Sequence, residues 1–207
     1  MKKDKEYNKI VFKIITIGDS YVGKTSIIRR YIDNIFENFQ NTIGISKFEK
    51  EITLKNKEKI YLSLTDTSGQ EKYQSLNRQY VRNVDAVLFV FDLNKKETFK
   101  NIKNWIKFFN DNFQGEHDIP KYLIGNKKDL KKDIDEEDIY FFKEDNEDFI
   151  YKETSAKEED SQINDLFQDM GEILYNKYKK YQKIKTKYIK LAQEERKDSS
   201  KCAKCIL

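Results

Sequence analysis

The strongest constraint on how this chain folds is an eight-residue stretch, Gly18-Asp19-Ser20-Tyr21-Val22-Gly23-Lys24-Thr25. It follows an apolar run at residues 11–17 and leads into a helical pattern over residues 23–35. Its glycines, Gly18 and Gly23, let successive backbone N–H groups face inward, and the helix start adds partial positive charge. The stretch therefore predicts a loop that binds phosphate groups, with the Lys24 ammonium on the outer phosphates and the Thr25 hydroxyl available to Mg²⁺.

Apolar runs and helical patterns alternate along the chain, which indicates an α/β domain. Runs rich in β-branched residues predict buried parallel strands at 11–17, 86–92, 121–126 and 149–151. Period-two alternation predicts a hairpin of strands 48–54 and 60–65 around a turn at 55–58. Helical patterns cover 23–35, 99–113, 136–143 and 163 onward. We therefore expect a six-stranded, mostly parallel sheet with one antiparallel edge strand and helices on both faces.

Composition is consistent with a compact domain despite its low apolar content. Hydrophobic residues make up 38% of the 207 residues and charged residues 37%, values that on their own suggest disorder. Aromatic residues reach 14%, however, and such bulk offsets the entropy lost on ordering the chain. The start is charged and no window approaches about 20 apolar residues, so we expect neither a signal peptide nor a transmembrane helix.

Both cysteines, Cys202 and Cys205, lie among the last six residues. A secreted domain of this size would use cysteines in its body as disulfides, so this placement predicts a reducing compartment. It also excludes thiol catalysis and a zinc site built from cysteines in the body. The single histidine, His117, stands beside Asp118 in a polar stretch and is expected to be a solvated loop residue, which leaves no Ser–His or Cys–His machinery.

Positive charge is concentrated at the carboxyl end. Residues 177–207 hold eleven lysines and arginines against three carboxylates, a net charge of +8, while the rest of the chain is at −4. Such a tail suits an anionic surface, and the two cysteines favour a membrane over nucleic acid. We divide the chain into an extension at 1–9, a domain at 10–178 and a basic tail at 179–207. Apolar residues keep helical spacing into the tail, where they fit a partner helix, a membrane surface or a partly frayed segment.

A second motif, Asp66-Thr67-Ser68-Gly69-Gln70-Glu71, follows the predicted strand at 60–65. A carboxylate at the carboxyl end of a strand near a phosphate loop can hold Mg²⁺ through a water molecule, and this is the role expected of Asp66. Gly69 has no side chain, so its N–H can approach a terminal phosphate. The motif alone would indicate only a turn, and its position one hairpin after the phosphate loop is what favours a role in the site.

Two further segments carry the chemistry needed to recognise guanine. Asn126-Lys127-Lys128-Asp129 follows one predicted strand, and Ser155-Ala156-Lys157 follows the next. The Asp129 carboxylate can accept from guanine N1–H and from its exocyclic amine, two donors that adenine does not present together. Asn126 can bond the base edge, the Lys127 stem can cover the face of the base, and the Ala156 N–H can donate to O6.

Taken in order, GDSYVGKT, Thr42-Ile43-Gly44, DTSGQE, NKKD and TSAK resemble the motifs of the Ras superfamily of small GTPases. Their order and spacing cover residues from about 10 to 180. Further segments are most similar to those of the Rab family, namely Lys72-Tyr73-Gln74-Ser75-Leu76, Tyr80-Val81-Arg82 and Phe89-Val90-Phe91-Asp92. The resemblance implies the P-loop small-GTPase fold and a GTP/GDP molecular switch that hydrolyses GTP.

The resemblance also implies roles for single residues. Thr42 closes on Mg²⁺ and the γ-phosphate when GTP is bound, Phe36 packs against guanine, and Gln70 orients the attacking water while a partner supplies an arginine. Glu71 and Tyr73 belong to a second switch that disorders after hydrolysis.

The implied contacts fall into three groups. The residues implied to contact phosphates are Ser20, Tyr21, Val22, Gly23, Lys24, Thr25, Ser26, Thr42 and Gly69. Those implied to contact guanine are Phe36, Asn126, Lys127, Asp129, Ser155, Ala156 and Lys157. Those implied to hold Mg²⁺ are Thr25, Thr42 and, through water, Asp66.

The resemblance implies partners as well as chemistry. A Rab-like switch in vesicular traffic uses an exchange factor, a GTPase-activating protein, effectors, a prenylation escort and a GDP-dissociation inhibitor. The ending Cys202-Ala203-Lys204-Cys205-Ile206-Leu207 loosely resembles Rab endings whose paired cysteines are prenylated. Lipid and basic charge together imply attachment to the cytoplasmic face of an intracellular membrane, with cycling through the cytosol. We expect a monomer with no nucleic-acid partner.

Departures from the family pattern bear on the first switch and on effectors. Ser68 stands where Ala is usual, and Thr65 replaces a Trp that forms part of the surface read by effectors. The aromatic after the Thr42 motif is shifted by one residue, and the spacer from Phe36 to Thr42 is one residue short. A slow GTPase switch is the first hypothesis, and a nucleotide-bound scaffold with negligible hydrolysis is the second. A small-molecule kinase, the third, lacks a recognisable arginine-rich lid.

Overall fold

Six strands and six helices form the part of the chain described by the computed structural model, which is residues 9–37, 44–67, 74–115, 117–159 and 162–203. The strands are β1 Val11–Ile17, β2 Ile45–Thr53, β3 Lys59–Thr67, β4 Ala86–Asp92, β5 Lys121–Asn126 and β6 Phe149–Glu153. The helices are α1 Lys24–Asp33, α2 Gln74–Val81, α3 Lys96–Lys100, α4 Ile102–Asn112, α5 Glu136–Asp145 and α6 Gln162–Ala203.

The strands form one sheet in the order β2-β3-β1-β4-β5-β6. β2 runs antiparallel to β3, and every other neighbouring pair is parallel. The predicted six-stranded, mostly parallel sheet with an antiparallel edge strand is thus confirmed. The predicted hairpin is also present, since the Leu54 N–H donates to the Glu58 carbonyl oxygen at 2.9 Å across the turn.

Strand β4 shows why the apolar runs behave as buried strands. All seven of its residues are buried, because helices cover both faces of the sheet. Leu88 and Val90 belong to the cluster beneath α1 and α6, whereas Phe89 belongs to the cluster beneath α4 and α5. Successive side chains of a strand point to opposite faces, so one continuous apolar run supplies both cores.

Aromatic contacts hold helices against both faces. On one face Tyr31 of α1 stacks on Phe167 of α6 with ring centroids 4.1 Å apart. On the other face Phe109 of α4 meets Phe89 edge-on at 5.7 Å, and Trp105 is buried in the same cluster. The predicted helix face that carries Trp105 and Phe109 is confirmed. Aromatic side chains contribute to the buried cores on both faces of the sheet.

Two helical assignments from the sequence need correction. The single helix predicted at 99–113 is wrong, because the chain forms α3 and α4 with Asn101 between them. The Asn101 side-chain amide donates to Asp19 Oδ2 at 2.8 Å, a contact that apolar spacing does not reveal. Helix α2 is not predicted from the sequence, because its eight residues are too few for apolar periodicity to emerge.

Helix α6 runs without interruption from Gln162 to Ala203 and so crosses the predicted boundary at residue 179. At 1.5 Å per residue its length is about 63 Å. Its first half packs on the sheet through Phe167, Met170 and Leu174, as predicted. Beyond residue 179 the chain continues as helix as far as Ala203. Among the described helices, none combines the length and the apolarity needed to cross a membrane.

Removal of the Phe89 ring should destabilise the fold strongly. Phe89 is fully buried in the central strand β4, and the Phe89→Ala substitution leaves a cavity between β4 and α4, so the free energy of unfolding should fall by about 3–5 kcal/mol. Urea unfolding checks this, with Phe141→Ala as the control. Phe141 is 59% exposed on α5, and its substitution should change stability by no more than about 0.5 kcal/mol. Equal effects of the two substitutions would contradict the packing described here.

Candidate functional site

Several loops meet at the sheet edge formed by the carboxyl ends of the parallel strands. Thr25, at the start of α1, contacts Asp66 near the end of β3, and Val22, in the loop after β1, contacts Asn126 at the end of β5. The loop after β6 joins them through Ala156, which donates to Asn126. This edge is where open parallel sheets bind their ligands, and it brings together described residues of the phosphate loop, the Asp66 motif and the two guanine segments.

Two glycines of the phosphate loop stand where no side chain fits. At Gly18, with φ 150°, a Cβ would lie 2.1 Å from the Val90 carbonyl oxygen. At Gly23, with φ 97°, a Cβ would lie 2.2 Å from Asn126 Nδ2. Backbone conformation and close packing therefore both require glycine at these positions.

The Lys24 ammonium is buried inside the phosphate loop. Its Nζ donates to the carbonyl oxygens of Gly18 at 3.0 Å and Asp19 at 2.7 Å. Burial lowers the pKa of Lys24 to about 8, although the Asp66 and Asp19 carboxylates act in the opposite direction. An anion at this loop would favour the charged ammonium and raise the pKa again.

The Asp19 carboxylate ties the phosphate loop to the start of α4. Asn101 Nδ2 donates to Asp19 Oδ2 at 2.8 Å, and Trp105 Nε1 donates to Asp19 Oδ1 at 2.7 Å. Sequence reasoning missed this contact, because Asp19 occupies a position that the phosphate-loop motif leaves open. The signal available was the pair Asn101 and Trp105, which stand four residues apart and so lie on one helix face.

Thr25 and Asp66 place two oxygen ligands side by side. The Thr25 hydroxyl donates to Asp66 Oδ2 at 2.7 Å, and Asp66 is buried near the end of β3. A hydroxyl and a carboxylate suit Mg²⁺, which takes oxygen ligands and completes its coordination with water and substrate phosphates. The residues present therefore fit the predicted ion.

The Asn126 side-chain amide connects three loops. Its Nδ2 donates to the Val22 carbonyl oxygen at 2.9 Å, and its Oδ1 accepts from the Thr154 hydroxyl and from the Ala156 N–H, both at 3.3 Å. Asn126 is buried, so these bonds lie out of water, where polar groups need partners. Asn126 thus sets the spacing between the phosphate loop and the segment predicted to contact guanine.

Ser155 and Lys157 surround the Asp129 carboxylate. The Ser155 hydroxyl donates to Asp129 Oδ1 at 2.7 Å, and Lys157 Nζ lies 3.9 Å from Asp129 Oδ2. Lys127 adopts a left-handed backbone conformation, φ 65°, and its Nζ donates to Asp92 Oδ2 at 2.7 Å. The structure therefore brings the members of the two guanine segments together and adds Asp92, which the sequence analysis did not single out.

The remaining predicted residues divide into described and undescribed ones. Ser20 lies in the phosphate loop, Ser26 lies in the first turn of α1, and Phe36 follows α1 with 40% of its surface exposed. Residues that lie outside the described ranges are Thr42, Gly69, Gln70, Glu71, Tyr73 and Cys205. Cys202 falls within α6, and its side chain is likewise outside the description.

Thr65 stands where the family usually has Trp, and the surface around it differs from the apolar one that the resemblance implies. Thr65 is buried in β3, and the exposed Lys47 pairs with it across the antiparallel ladder. Lys47 Nζ lies 4.9 Å from the centroid of the Tyr80 ring in α2. A cation over an aromatic ring therefore occupies the sheet edge where the resemblance leads one to expect an apolar cluster.

A model of the Ras family matches residues 13–176 of this chain. The chain belongs to the Ras family: it is a small GTPase that binds GTP and GDP and hydrolyses GTP on the P-loop fold described above. The family recognised from its motifs is thereby confirmed.

Within that family the chain is Rab-like. The Ras-related protein Rab-9A of Mus musculus is 30% identical over 196 residues, which is 93% of this chain and 97% of the relative. Rab-30 of Homo sapiens is 33% identical over 164 residues, 78% of each chain. Rab-33A of Mus musculus is 38% identical over 162 residues, 76% of this chain and 68% of the relative. These relatives support the GTPase switch, and they do not favour the scaffold hypothesis.

Tyr21 is an unusual residue in the phosphate loop. Its φ of 65° lies in the left-handed region, and 64% of its surface is exposed. Left-handed conformation costs an ordinary residue about 1–2 kcal/mol, because Cβ approaches the following carbonyl oxygen. The loop therefore carries backbone strain at a position where glycine would have none.

Tyr21→Gly should be more stable than Tyr21→Ala. Both substitutions remove the ring, but only glycine relieves the strain, so its free energy of unfolding should be higher by about 1 kcal/mol. Urea unfolding of the two nucleotide-free variants measures the difference. If the alanine variant were as stable as the glycine variant, the left-handed conformation at this residue would be wrong.

Proposed function

We propose that this Rab-like GTPase holds its nucleotide at the edge where the loops after β1, β5 and β6 meet. The single observation that supports this most strongly is the Asn126 amide, which bonds to both the phosphate loop and the Ala156 loop. Backbone N–H groups of residues 20–26 then face the phosphates at the start of α1. The Lys24 ammonium would exchange its two loop carbonyls for an oxygen of an outer phosphate.

Guanine recognition is assigned to the loops after β5 and β6. The Ser155 hydroxyl orients Asp129 to accept from guanine N1–H and from its exocyclic amine. The Ala156 N–H donates to guanine O6. Its acceptor within the protein is Asn126 Oδ1 at 3.3 Å, which is long for an N–H donor, so O6 is the better acceptor. Phe36 and the Lys127 stem cover the base.

Mg²⁺ would be held by the Thr25 hydroxyl, by Asp66 through water, and by Thr42 in the GTP state. When bound, the ion neutralises charge on the phosphates. The 2.7 Å bond between Thr25 and Asp66 supports this assignment, because it shows that both oxygens already face the same point.

Water orientation for hydrolysis is assigned to Gln70, with Gly69 close to the terminal phosphate. This part of the proposal rests on the resemblance of the DTSGQE motif, and its support among the described residues is the position of the first two residues of the motif, Asp66 and Thr67, at the end of β3.

The proposed cellular role is recruitment of effectors to membranes in vesicular traffic. The support for this role is similarity to proteins named Rab. The same role implies four kinds of partner: an exchange factor, a GTPase-activating protein, a prenylation escort and a GDP-dissociation inhibitor. We place the protein on the cytoplasmic face of an intracellular membrane, from which it cycles to the cytosol.

The basic tail at 179–207 is the proposed membrane contact, and the helical form of its residues up to Ala203 supports this. Tyr181, Ile184 and Tyr188 recur at helical spacing and are exposed. Residues 173–193 contain seven lysines and no carboxylate. Aromatic and aliphatic side chains bordered by lysines suit the boundary of an anionic leaflet, and prenyl groups on Cys202 and Cys205 would add the anchor.

Single-turnover hydrolysis tests the catalytic assignment. The purified protein should carry guanine nucleotide, and hydrolysis of loaded GTP should be slow and should fall about tenfold or more in Gln70→Leu, which cannot orient water. Gln79→Leu is the matched control, because Gln79 is exposed on α2, outside the DTSGQE motif.

Each result separates the hypotheses. A rate lowered by Gln70→Leu and unchanged by Gln79→Leu supports the switch. Bound GTP that does not turn over in the unsubstituted protein would favour the scaffold hypothesis. Purified protein without guanine nucleotide, and without affinity for it, would contradict the site assignment.

Vesicle sedimentation tests the membrane contact on full-length, unprenylated protein, which isolates the helix from the lipid anchor. The protein should sediment with vesicles containing phosphatidylserine, less so as salt is raised, and hardly at all with phosphatidylcholine alone. Replacement of Tyr181, Ile184 and Tyr188 by serine should remove most of the binding.

The control for this experiment is Tyr140→Ser with Phe141→Ser. These two residues are also exposed, at 58% and 59%, but they lie on the acidic helix α5. Equal loss of binding in both variants, or binding independent of phosphatidylserine, would contradict the assignment to α6.

A further inference from the structure

Arg30 is a charged residue on the apolar side of helix α1. It is only 7% exposed and lies among Ile27, Ile28 and Tyr31, which are also buried. A guanidinium is costly to bury unless its donors are satisfied, so the partners of this one are informative.

The Arg30 guanidinium bonds to two separate segments of the nucleotide site. On one side Nε donates to the Ala156 carbonyl oxygen at 2.9 Å, and a terminal nitrogen donates to the Lys157 carbonyl oxygen at 3.1 Å. On the other side the second terminal nitrogen donates to the carbonyl oxygen and to the side-chain Oδ1 of Asn34, both at 3.0 Å. All four acceptors are neutral oxygens, so the contact specifies geometry and is not an ion pair.

The two segments bound by Arg30 lead to different parts of the proposed base site. Ala156 and Lys157 form the loop that would meet guanine O6. Asn34 ends α1 in the left-handed conformation, with φ 56°, and its N–H donates to the Arg30 carbonyl oxygen at 3.1 Å. Phe36, proposed to pack on the base, follows two residues later. One side chain therefore ties the O6 edge of the site to the segment that leads to Phe36.

We propose that Arg30 is a positioning residue for guanine recognition, which holds the Ala156 N–H where it can donate to O6 and couples that loop to the turn at Asn34. This inference rests on the guanine site proposed above. Arg30 itself does not contact the nucleotide.

The planar fork of arginine is what allows this coupling. Bonds to the Ala156 and Lys157 carbonyl oxygens fix the two peptide planes on either side of Lys157. The first of these planes is joined to Ala156, so it restricts the position of that residue and of the N–H in its preceding peptide. The loop is ordered when the protein folds, so that part of the ordering cost does not fall on nucleotide binding. Lysine carries the same charge but lacks the fork, and it cannot bond both segments in this geometry.

Arg30→Met and Arg29→Met form a matched pair of variants. Methionine keeps an unbranched side chain in the helix and removes every donor. Arg29 is the neighbouring arginine, partly exposed, and its guanidinium forms a surface ion pair with Asp33 at 2.8 Å. Arg30→Lys is the third variant, which keeps the charge, and urea unfolding of all three reports any general loss of stability.

Three diphosphates distinguish positioning from general loosening of the site. They are GDP; inosine diphosphate, which keeps O6 and N1–H but lacks the 2-amino group; and 2-aminopurine riboside diphosphate, which keeps the 2-amino group but lacks both O6 and N1–H. The N1–H bond is assigned to Asp129 and is the same in every variant, so a change in preference between GDP and the 2-aminopurine analogue reports on O6. In Arg30→Met the preference for GDP over the 2-aminopurine analogue should fall by about three- to tenfold, as for loss of one hydrogen bond. The preference for GDP over inosine diphosphate reports on Asp129 and should stay unchanged. Arg30→Lys should resemble Arg30→Met, and Arg29→Met should resemble the unsubstituted protein.

Other results would overturn the inference. Equal weakening of all three ligands in Arg30→Met would make Arg30 a structural residue without a role in base recognition. An unchanged preference, or rescue by lysine, would show that the fork is not needed. Each preference is a ratio within one variant, so a partly unfolded preparation does not imitate the expected result. If the unsubstituted protein itself did not prefer GDP to the 2-aminopurine analogue, the proposed guanine site would fail before Arg30 was tested.

Discussion

The proposed nucleotide site depends on the buried side-chain amide of Asn126, which stands at the end of β5 and bonds to the loops on both sides. It donates to Val22 in the phosphate loop and accepts from Thr154 and Ala156 after β6. The shape of each loop therefore depends on the others. The same amide explains Gly23, where a Cβ would lie 2.2 Å from Nδ2. Two motifs far apart in the sequence thus describe one packing constraint.

The sheet could be predicted from sequence because each of its strands carries a local signal. A strand buried on both faces, such as β4, must be continuously apolar, and a hairpin at the edge must alternate. The break at Asn101 was missed because it serves a distant partner, Asp19, while the local apolar spacing continues. The sequence does not predict whether the chain stays helical beyond residue 179, because the same apolar spacing fits a partner helix, a membrane surface or a partly frayed segment. Local sequence patterns therefore predict most helices and strands, and they fail where a contact with a distant residue determines the boundary of an element.

The candidate site divides in the same way. Residues proposed to meet the nucleotide, such as Lys24 and Asp129, belong to motifs whose chemistry can be argued from the residue types. Residues that hold those residues in place carry no motif. Asp19 stands at a position of the phosphate-loop motif where any residue is allowed. Arg30 belongs to no motif, and its one distinguishing feature is that it is a charged residue on the apolar face of α1. A charged side chain among Ile27, Ile28 and Tyr31 is the sequence signal that could have identified Arg30, because burial of a guanidinium requires partners.

The course of α6 relates the two ends of the molecule. The helix begins shortly after Lys157, beside the proposed base site, and packs back along the sheet. By Tyr181 it has travelled about 29 Å and meets His117, just before the amino-terminal end of β5. The carboxyl ends of the parallel strands lie at the opposite edge. If the chain attaches to a membrane through the end of α6, as proposed above, the proposed nucleotide site lies at the edge of the sheet opposite to His117, where regulators and effectors can reach it.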